Sequence, residues 1–221
     1  MNSKKKTNII ISIILVATLA VILALYPSVP DIIPTHWGAN GQVDGTGPKY
    51  MLFVFWGIAA AVNFLMLFAK KIDPKGESYD RFPNVVNIVR IFITVLLCGL
   101  DLLTIGFAFD PQFADMNTIM FAVMGAMFIL LGNYMPKVKH NYTFGIKTMW
   151  TIASEDVWNK THRMAGPLWM AGGLVMMAMA FIKNSSAVVP VIVGVTIVEV
   201  VVPMVYSYIV FQQEKKNKTE E

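Results

Sequence analysis

The chain has 221 residues, 56% of them hydrophobic and 14% charged. A soluble domain usually has about 25% charged residues, so the composition excludes a soluble enzyme or a soluble binding module as the main body of the protein. The formal net charge is +4, but the basic residues lie at the ends of apolar segments. That pattern belongs to membrane topology and argues against direct binding of nucleic acid.

Six apolar segments follow one another along the chain. Each is about twenty residues long, the length at which a helix crosses a hydrocarbon core of about 30 Å. The sequence therefore predicts an all-α, polytopic membrane protein, a bundle of six transmembrane helices in contact with the lipid bilayer. The predicted spans are residues 8–26, 50–69, 85–109, 116–135, 164–182 and 187–211.

The lysines and arginines are distributed unequally between alternate loops. Fifteen lie in the N-terminus, the second loop, the fourth loop and the C-terminal tail, and two, Lys49 and Lys183, lie in the other loops. Because positive charge accumulates on the cytoplasmic side, we expect both termini in the cytoplasm. The first segment is interpreted as an uncleaved anchor, since it is too long for a signal peptide. The charged tail after residue 211 is expected to be disordered.

Loop lengths divide the chain into three parts. Residues 1–70 are expected to form a two-helix membrane unit with a structured outer loop at 27–49, and residues 71–115 contain the third span and its flanking loops. Residues 116–221 are expected to form a three-helix unit with an inner loop at 136–163 and the charged tail. The two long loops are the segments with enough residues to carry specificity.

The outer loop is rich in glycine and proline, which predicts a compact series of turns, with tight turns at Asn40-Gly41 and Asp44-Gly45. His36 and Trp37 then lie beside the membrane surface. Two interpretations remain open. Trp37 is an aromatic residue of the membrane interface beside a solvated histidine, or the two residues belong to a binding surface.

The inner loop contains the pattern of a short helix. Ser154 is a favourable N-cap, and the acidic Glu155 and Asp156 complement the helix dipole. Four residues share one face of this helix: Val157, Trp158, Thr161 and Ala165. We expect an amphipathic helix on the inner membrane interface, followed by a turn at Gly166-Pro167 into the fifth span. The loop is then either an elbow that anchors the bundle or a binding surface.

The order of residues in both loops resembles one bacterial family. The outer segment from Pro30 to Gly45 reads PDIIPTHWGANGQVDG, and it resembles the domain of unknown function at the N-terminus of SdpI-type proteins. The inner segment from Asn141 to Gly166 resembles the SdpI signature in the order of its Asn-Tyr, Gly-Ile, Trp-Thr, Ser, Trp and Thr-His residues. One departure is Lys147-Thr148-Met149-Trp150, where the family usually has Arg-Thr-Pro-Trp.

The resemblance implies an immunity protein of the bacterial plasma membrane, which protects the producing cell from a secreted antimicrobial peptide toxin. It also implies, for some members, capture of a transcriptional repressor at the inner face. The residues assigned to outer-face or toxin binding are His36, Trp37, Asn40 and Asp44. The residues assigned to a cytoplasmic partner are Asn141, Gly145, Lys147, Thr148, Trp150, Trp158 and His162. The oligomeric state is left open.

Three ionisable residues lie within the predicted spans. Arg90 is about one turn from the inner end of the third span and is expected to snorkel to the headgroups. Asp101 and Glu199 lie deeper, where a charged carboxylate costs at least about 2.5 kcal/mol. Pro203 has no N–H to bind the carbonyl four residues back, so it should leave the carbonyl of Glu199 free.

The side chain of Glu199 has two interpretations. It is either the proton or cation site of a small ion-coupled transporter or exporter of amphiphilic peptides, or a protonated acid bonded to a neighbouring helix, for example through Asn63. The first would make this chain a transporter, whereas the second is compatible with an immunity protein that acts by binding.

No catalytic arrangement is predicted. His36 lies outside and His140 and His162 lie inside, so they cannot share a metal ion. The chain lacks metalloprotease, serine-hydrolase and Walker motifs. We therefore expect no enzyme activity, no cofactor and no metal. The enzymatic alternative, a membrane hydrolase that cleaves the toxin, would use His140, Asp156 and His162.

Overall fold

A computed structural model describes residues 3–182 and 185–220, and most of them are helical. The helices are α1 (Ser3–Leu25), α2 (Met51–Ile72), α3 (Pro83–Phe109), α4 (Met116–Tyr134), α5 (Met149–Ala153), α6 (Glu155–Met179) and α7 (Ser185–Glu220). Two strands, β1 (Ile32–Trp37) and β2 (Val43–Pro48), lie between α1 and α2. Short 3-10 helices occupy Gly76–Arg81 and Met135–Lys137.

Five helices in the described part of the chain are long and apolar enough to cross a membrane. They are Ser3–Leu25, Met51–Ile72, Pro83–Phe109, Met116–Lys137 and Ala187–Glu220. The protein is therefore a multi-pass, predominantly helical membrane protein. The remaining predicted span, 164–182, corresponds to the C-terminal part of α6 and the turn after it. The count of six spans stays a prediction, and Lys183, used to orient the bundle, lies outside the described residues.

The chain divides into two compact units. The N-terminal unit comprises Met1–Ala69 and Pro83–Ile119, and the C-terminal unit comprises Lys70–Phe82 and Met120–Glu221. The connection between α2 and α3 thus belongs to the C-terminal unit, although the helices on either side of it lie mainly in the other one.

The N-terminal unit has an apolar core at the end that carries the strands. Its buried members are Ile22, Val29, Ile33, Leu52 and Ile105. β1 and β2 pair antiparallel, and Ile33 is fully buried in the core. The outer loop is therefore a β-hairpin rather than a series of turns, and the all-α prediction missed it. The apolar core explains why a strand forms here, because the buried Ile33 fixes which face of the strand is turned inward.

The two predicted tight turns of the outer loop had different outcomes. The turn at Asn40-Gly41 is present: the Gly41 N–H donates to the Gly38 carbonyl at 2.8 Å, and Gly41 has a φ of 75° that favours glycine. The turn at Asp44-Gly45 is wrong, because both residues lie within β2. There Gly45 pairs with His36, and a Cβ on Gly45 would approach the His36 Cβ to 2.9 Å.

In the C-terminal unit, α4 and α6 touch through pairs of glycines. A Cβ on Gly125 would lie 2.6 Å from the Gly173 carbonyl oxygen, and a Cβ on Gly132 would lie 2.6 Å from the Gly166 carbonyl oxygen. Small residues at such contacts are typical of membrane helices, because they let two backbones approach closely. This packing also explains why the predicted turn at Gly166-Pro167 is wrong: Gly166 serves helix contact, and α6 continues through Pro167.

The N-terminal part of α6 confirms one local prediction and corrects another. The Ser154 hydroxyl caps the helix by accepting from the Val157 N–H at 3.3 Å. The four residues predicted to share a face, Val157, Trp158, Thr161 and Ala165, are all fully buried. That face therefore packs inside the protein, and the separate interfacial helix is replaced by the start of a long one.

The charged C-terminal tail is helical, contrary to the expected disorder. α7 continues to Glu220, and its last turns carry two i,i+4 ion pairs, Glu214 with Lys218 and Lys216 with Glu220. Pairs of this spacing stabilise an exposed helix modestly.

Candidate functional site

The strongest candidate site is the inner loop of the C-terminal unit, here residues 138–162. Asn141 organises its first turn and is fully buried. Its Oδ1 accepts from the N–H groups of Thr143 and Phe144 at 2.8 and 2.7 Å, and its Nδ2 donates to the carbonyls of Lys139 and Phe144 at 2.7 and 3.1 Å. An amide supplies the two donors and the acceptor oxygen used here, whereas a hydroxyl has a single donor.

Trp158 and two histidines form a stack beneath this turn. The Trp158 ring lies 4.0 Å from the His162 ring at an interplanar angle of 18°, and 5.1 Å from the His140 ring. The Trp158 Nε1 donates to the Val138 carbonyl at 2.9 Å. Trp158 was assigned to a cytoplasmic partner, and the structure places its side chain fully buried, in contact with the backbone of the loop.

Both histidines of the stack are held in the neutral form. The His162 Nδ1 donates to the Trp158 carbonyl at 2.8 Å and its Nε2 accepts from the Ile146 N–H at 3.0 Å. Burial lowers the pKa of His162 to about 4. Burial, followed by the nearby Lys75 ammonium, also lowers the pKa of His140, whose Nδ1 accepts from the Lys75 Nζ at 2.8 Å.

Gly145 is required by the contact between the loop and the stack. Its φ is 102°, a conformation that residues with a side chain rarely adopt. A Cβ here would overlap the His162 Nε2 and would lie 3.0 Å from the Trp158 ring. The glycine of the inner signature therefore allows close approach of the backbone to the imidazole.

The remaining signature residues lie between the loop and α7. Thr148 caps α5 by accepting from the Thr151 N–H at 3.1 Å, and its hydroxyl lies 3.0 Å from the Ser207 hydroxyl. The half-buried Trp150 ring contacts the Tyr208 ring at 5.1 Å. The exposed Lys147 Nζ donates to two backbone carbonyls of the loop.

The sequence predictions missed the residues from other elements that contact the inner loop. Ser207 and Tyr208 of α7 do so, as does Glu214, which accepts from the Ser154 hydroxyl at 2.6 Å. Lys75, from the connection between α2 and α3, contacts His140. In the sequence predictions, the basic residues of that connection served only to orient the protein in the membrane.

Of the four residues assigned to outer-face binding, the outer hairpin brings two together, and the other two make contacts within the N-terminal unit. The His36 Nδ1 and the Asp44 Oδ1 lie 2.5 Å apart, and the side chains are 72% and 52% exposed. Trp37 packs on Phe107 with ring centroids 5.5 Å apart. The Asn40 Oδ1 accepts from the Gln42 N–H at 3.1 Å within the turn. The hairpin therefore displays the His36–Asp44 pair to solvent.

Asp101 of the N-terminal unit and Glu199 of the C-terminal unit are both deeply buried, with 1% of each residue exposed. Within the described ranges, no hydrogen-bond partner reaches either carboxyl group. The carbonyl of Glu199 that Pro203 was predicted to leave free accepts from the Trp169 Nε1 at 3.0 Å. Asn63, which the sequence suggested as one example of a partner for Glu199, donates from its Nδ2 to the Thr94 hydroxyl and the Ala59 carbonyl.

The sequence predicted that the Arg90 side chain would snorkel to the membrane surface, but the side chain is buried. It is 4% exposed, and its Nη1 donates to the Asn8 Oδ1 of α1 at 3.0 Å. A polar partner on the neighbouring helix offers the guanidinium an alternative to water.

No group of three or more His, Cys, Asp or Glu side chains is placed to hold a metal ion within residues 3–182 and 185–220.

Comparison with known proteins gives two family matches. The SdpI/YfhL protein family matches residues 137–207, and a domain of unknown function, DUF1648, matches residues 13–60. Immunity protein SdpI of Bacillus subtilis (strain 168) is 22% identical over 196 residues, which cover 89% of this chain and 92% of that protein. No solved structure matches. The matches therefore show a DUF1648 region in the N-terminal part of the chain and an SdpI/YfhL region in its C-terminal part.

Proposed function

We propose that this chain is a non-enzymatic immunity protein of the bacterial plasma membrane, which protects the producing cell from a secreted antimicrobial peptide toxin. The observation that carries the proposal is the similarity to Immunity protein SdpI over 89% of the chain. A match of this length includes both the hairpin and the inner loop. Five helices that are long and apolar enough to cross a membrane support a protein that acts where such a toxin acts.

The outer hairpin is the proposed contact for the toxin. Its exposed His36 and Asp44 offer hydrogen-bonding and charged groups to a peptide, while Ile33 and Trp37 hold the hairpin to its unit. A rigid platform of this kind needs little ordering when it binds.

The inner loop is the proposed contact for a cytoplasmic partner, a transcriptional repressor. Lys147 and Met149 are exposed and Trp150 is half-buried, so these three residues can touch a partner directly. Tryptophan and methionine are among the residues enriched at protein interfaces. Asn141, Trp158 and His162 are buried and support that surface from within.

Protection is tested by expressing the chain in a sensitive bacterium and challenging it with purified peptide toxin. Cells with the parent chain should survive, and His36→Ala should lower protection several-fold at equal membrane abundance. Gln42→Ala is the matched control, because Gln42 is an exposed residue of the same hairpin. If cells that express the parent chain survive no better than cells that carry the empty vector, the proposal is contradicted.

The inner surface needs its own assay. Trp150→Ala should reduce toxin-dependent signalling or protection while the amount of protein in the membrane stays the same. If activity falls only in proportion to protein abundance, the loop is an anchoring elbow and the partner-binding role is wrong.

The proposed topology has six spans, the fifth formed by the C-terminal part of α6, and both termini in the cytoplasm. A cysteine at Asn40 should react with an impermeant thiol reagent in intact cells, whereas a cysteine at Met149 should react only after permeabilisation. Met149 is 75% exposed, so its protection would reflect the membrane, and the native Cys98 is buried. Labelling of Met149→Cys in intact cells would overturn this orientation.

The buried, unpartnered carboxyl group of Glu199 favours a second candidate, a small ion-coupled exporter of amphiphilic peptides. Glu199→Gln keeps the size of the side chain and removes its titration. Immunity by binding predicts that this variant protects nearly as well as the parent and does so independently of the proton gradient. Export predicts loss of protection in Glu199→Gln and on addition of an uncoupler.

A further inference from the structure

The connection between α2 and α3 lies outside both family matches, which cover residues 13–60 and 137–207. It nevertheless belongs to the C-terminal unit, which contains the inner loop. The connection begins at Asp73-Pro74 and continues into the 3-10 helix Gly76–Arg81. The residues matched by the two families therefore leave out a segment of the unit that contains the inner loop.

Asp73 accepts hydrogen bonds from four donors. Its Oδ1 accepts from the Lys75 N–H at 2.8 Å. Its Oδ2 accepts from the Tyr79 hydroxyl at 3.0 Å, the Tyr142 N–H at 2.9 Å and the Thr143 hydroxyl at 2.9 Å. Two of these donors belong to the inner loop, which lies about seventy residues further along the chain. Asp73 is therefore a direct link between the connection and the loop.

The charge of Asp73 suits this role. Burial raises the pKa of the carboxyl group, but the hydrogen bonds from Lys75, Thr143, Tyr142 and Tyr79 outweigh burial and lower it. Asp73 is then ionised at neutral pH, and hydrogen bonds to an ionised acceptor are stronger than neutral ones. Burial, with the neighbouring carboxylate, raises the pKa of Tyr79 to about 12, so its hydroxyl keeps its proton.

Other contacts of the connection reach the same loop. The Lys75 Nζ contacts the His140 Nδ1 at 2.8 Å, and the Tyr79 ring lies 5.8 Å from the Phe144 ring. The residues on either side of Asn141 are thus held from the same connection.

The loop residues bound by Asp73 also hold Lys147. The Lys147 Nζ donates to the Tyr142 carbonyl at 3.3 Å and to the Thr143 carbonyl at 3.1 Å. Asp73 binds the N–H of Tyr142 and the hydroxyl of Thr143. A change that releases Tyr142 and Thr143 would therefore move both acceptors of the lysine.

We propose that Asp73 is a positioning residue of the inner site: by fixing Tyr142 and Thr143, it sets the position of Lys147 on the surface that faces a cytoplasmic partner. The existence of a cytoplasmic partner rests on the proposed function, whereas the effect of Asp73 on the position of Lys147 does not. Asp73→Asn replaces one oxygen with an NH2 group, so only the remaining oxygen can accept, and it removes the charge that strengthens these bonds. Asp73→Glu keeps the charge and both acceptors on a longer side chain.

The test is amine-reactive labelling of the full-length protein in detergent, followed by mass spectrometry. The labelling rate of Lys147 is measured relative to that of Lys160, which pairs with Asp156 on α6. Asp73→Asn should raise the relative rate of Lys147 several-fold, and Asp73→Glu should restore part of the difference. The matched control is Asp80→Asn, the same chemical change in the same connection, at an exposed residue that pairs with Lys70.

Each outcome decides the proposal. An unchanged Lys147 rate in folded Asp73→Asn, or a change equal to that in Asp80→Asn, overturns it. If Asp73→Asn does not fold, Tyr79→Phe removes one of the three donors at Oδ2 and should produce a smaller change in the same direction; no change there also overturns it. The labelling needs neither toxin nor partner, so a parent chain that fails to protect cells would refute the proposed function alone.

Discussion

The outer hairpin and the inner loop use their motif residues in opposite ways. In the hairpin, backbone pairing between β1 and β2 supplies the shape, so His36 and Asp44 are left exposed. The inner loop has only the five-residue α5 before α6 begins, and its shape depends on the buried side chains of Asn141, Trp158 and His162. A residue that belongs to a family motif is thus not necessarily a residue that touches a partner.

The largest expected effect is that of removing the centre of the inner stack. Trp158→Ala deletes a fully buried ring that contacts both His140 and His162. Such substitutions typically cost about 3–5 kcal/mol of unfolding free energy. Thermal unfolding in detergent should show a much lower midpoint than for Trp150→Ala, whose ring is half-buried. Equal losses would mean that the inner loop does not depend on its buried residues.

Gly145→Ala should cause the next largest loss of unfolding free energy. The substitution strains a residue with a φ of 102° and places a Cβ against His162 and Trp158, so we expect a loss of about 1–3 kcal/mol. Gly194→Ala is the matched control, because nothing lies within 4 Å of a Cβ there and alanine favours a helix. The unfolding midpoints of the two variants should move in opposite directions, and a parallel decrease would contradict the argument.

Acidification should lower the stability of the inner loop progressively, through protonation of His162. The pKa of His162 falls from an ordinary value of about 6.5 to about 4 in the folded protein. Because the folded-state pKa is depressed, the stabilisation is complete above pH 6.5 and is lost as the pH falls towards 4. The unfolding midpoint of the parent should therefore decrease across this window. His162→Gln, which cannot titrate, should show a shallower decrease, and equal slopes would refute the role of His162.

The smallest effect on stability is expected at the exposed pair of the hairpin. His36→Ala or Asp44→Ala removes a contact between two largely exposed side chains, and exposed pairs contribute about 0–1 kcal/mol. Unfolding midpoints should change little, although protection from the toxin should fall. A loss of stability as large as that of Gly145→Ala would show that this pair supports the hairpin.

Several features followed from the sequence because they depend on neighbours along the chain. Apolar segments of about twenty residues indicated membrane helices. The Ser154 cap involves residues within four positions and is present. Pro203 cannot donate to the Glu199 carbonyl, which also follows from local sequence, but its actual donor, Trp169, lies 30 positions away. The shared face of Val157 and Trp158 was also correct, because helical periodicity alone determines it.

The tertiary structure decided what those local features contact. Periodicity shows that Trp158 shares a face with Val157, but only packing shows that the face lies inside the protein. Gly166-Pro167 has the composition of a turn, yet Gly166 packs against Gly132 and the helix continues. Asp73 and Tyr142 are separated by 69 positions. No local pattern predicts their hydrogen bond, because it forms only when the fold brings two distant segments together.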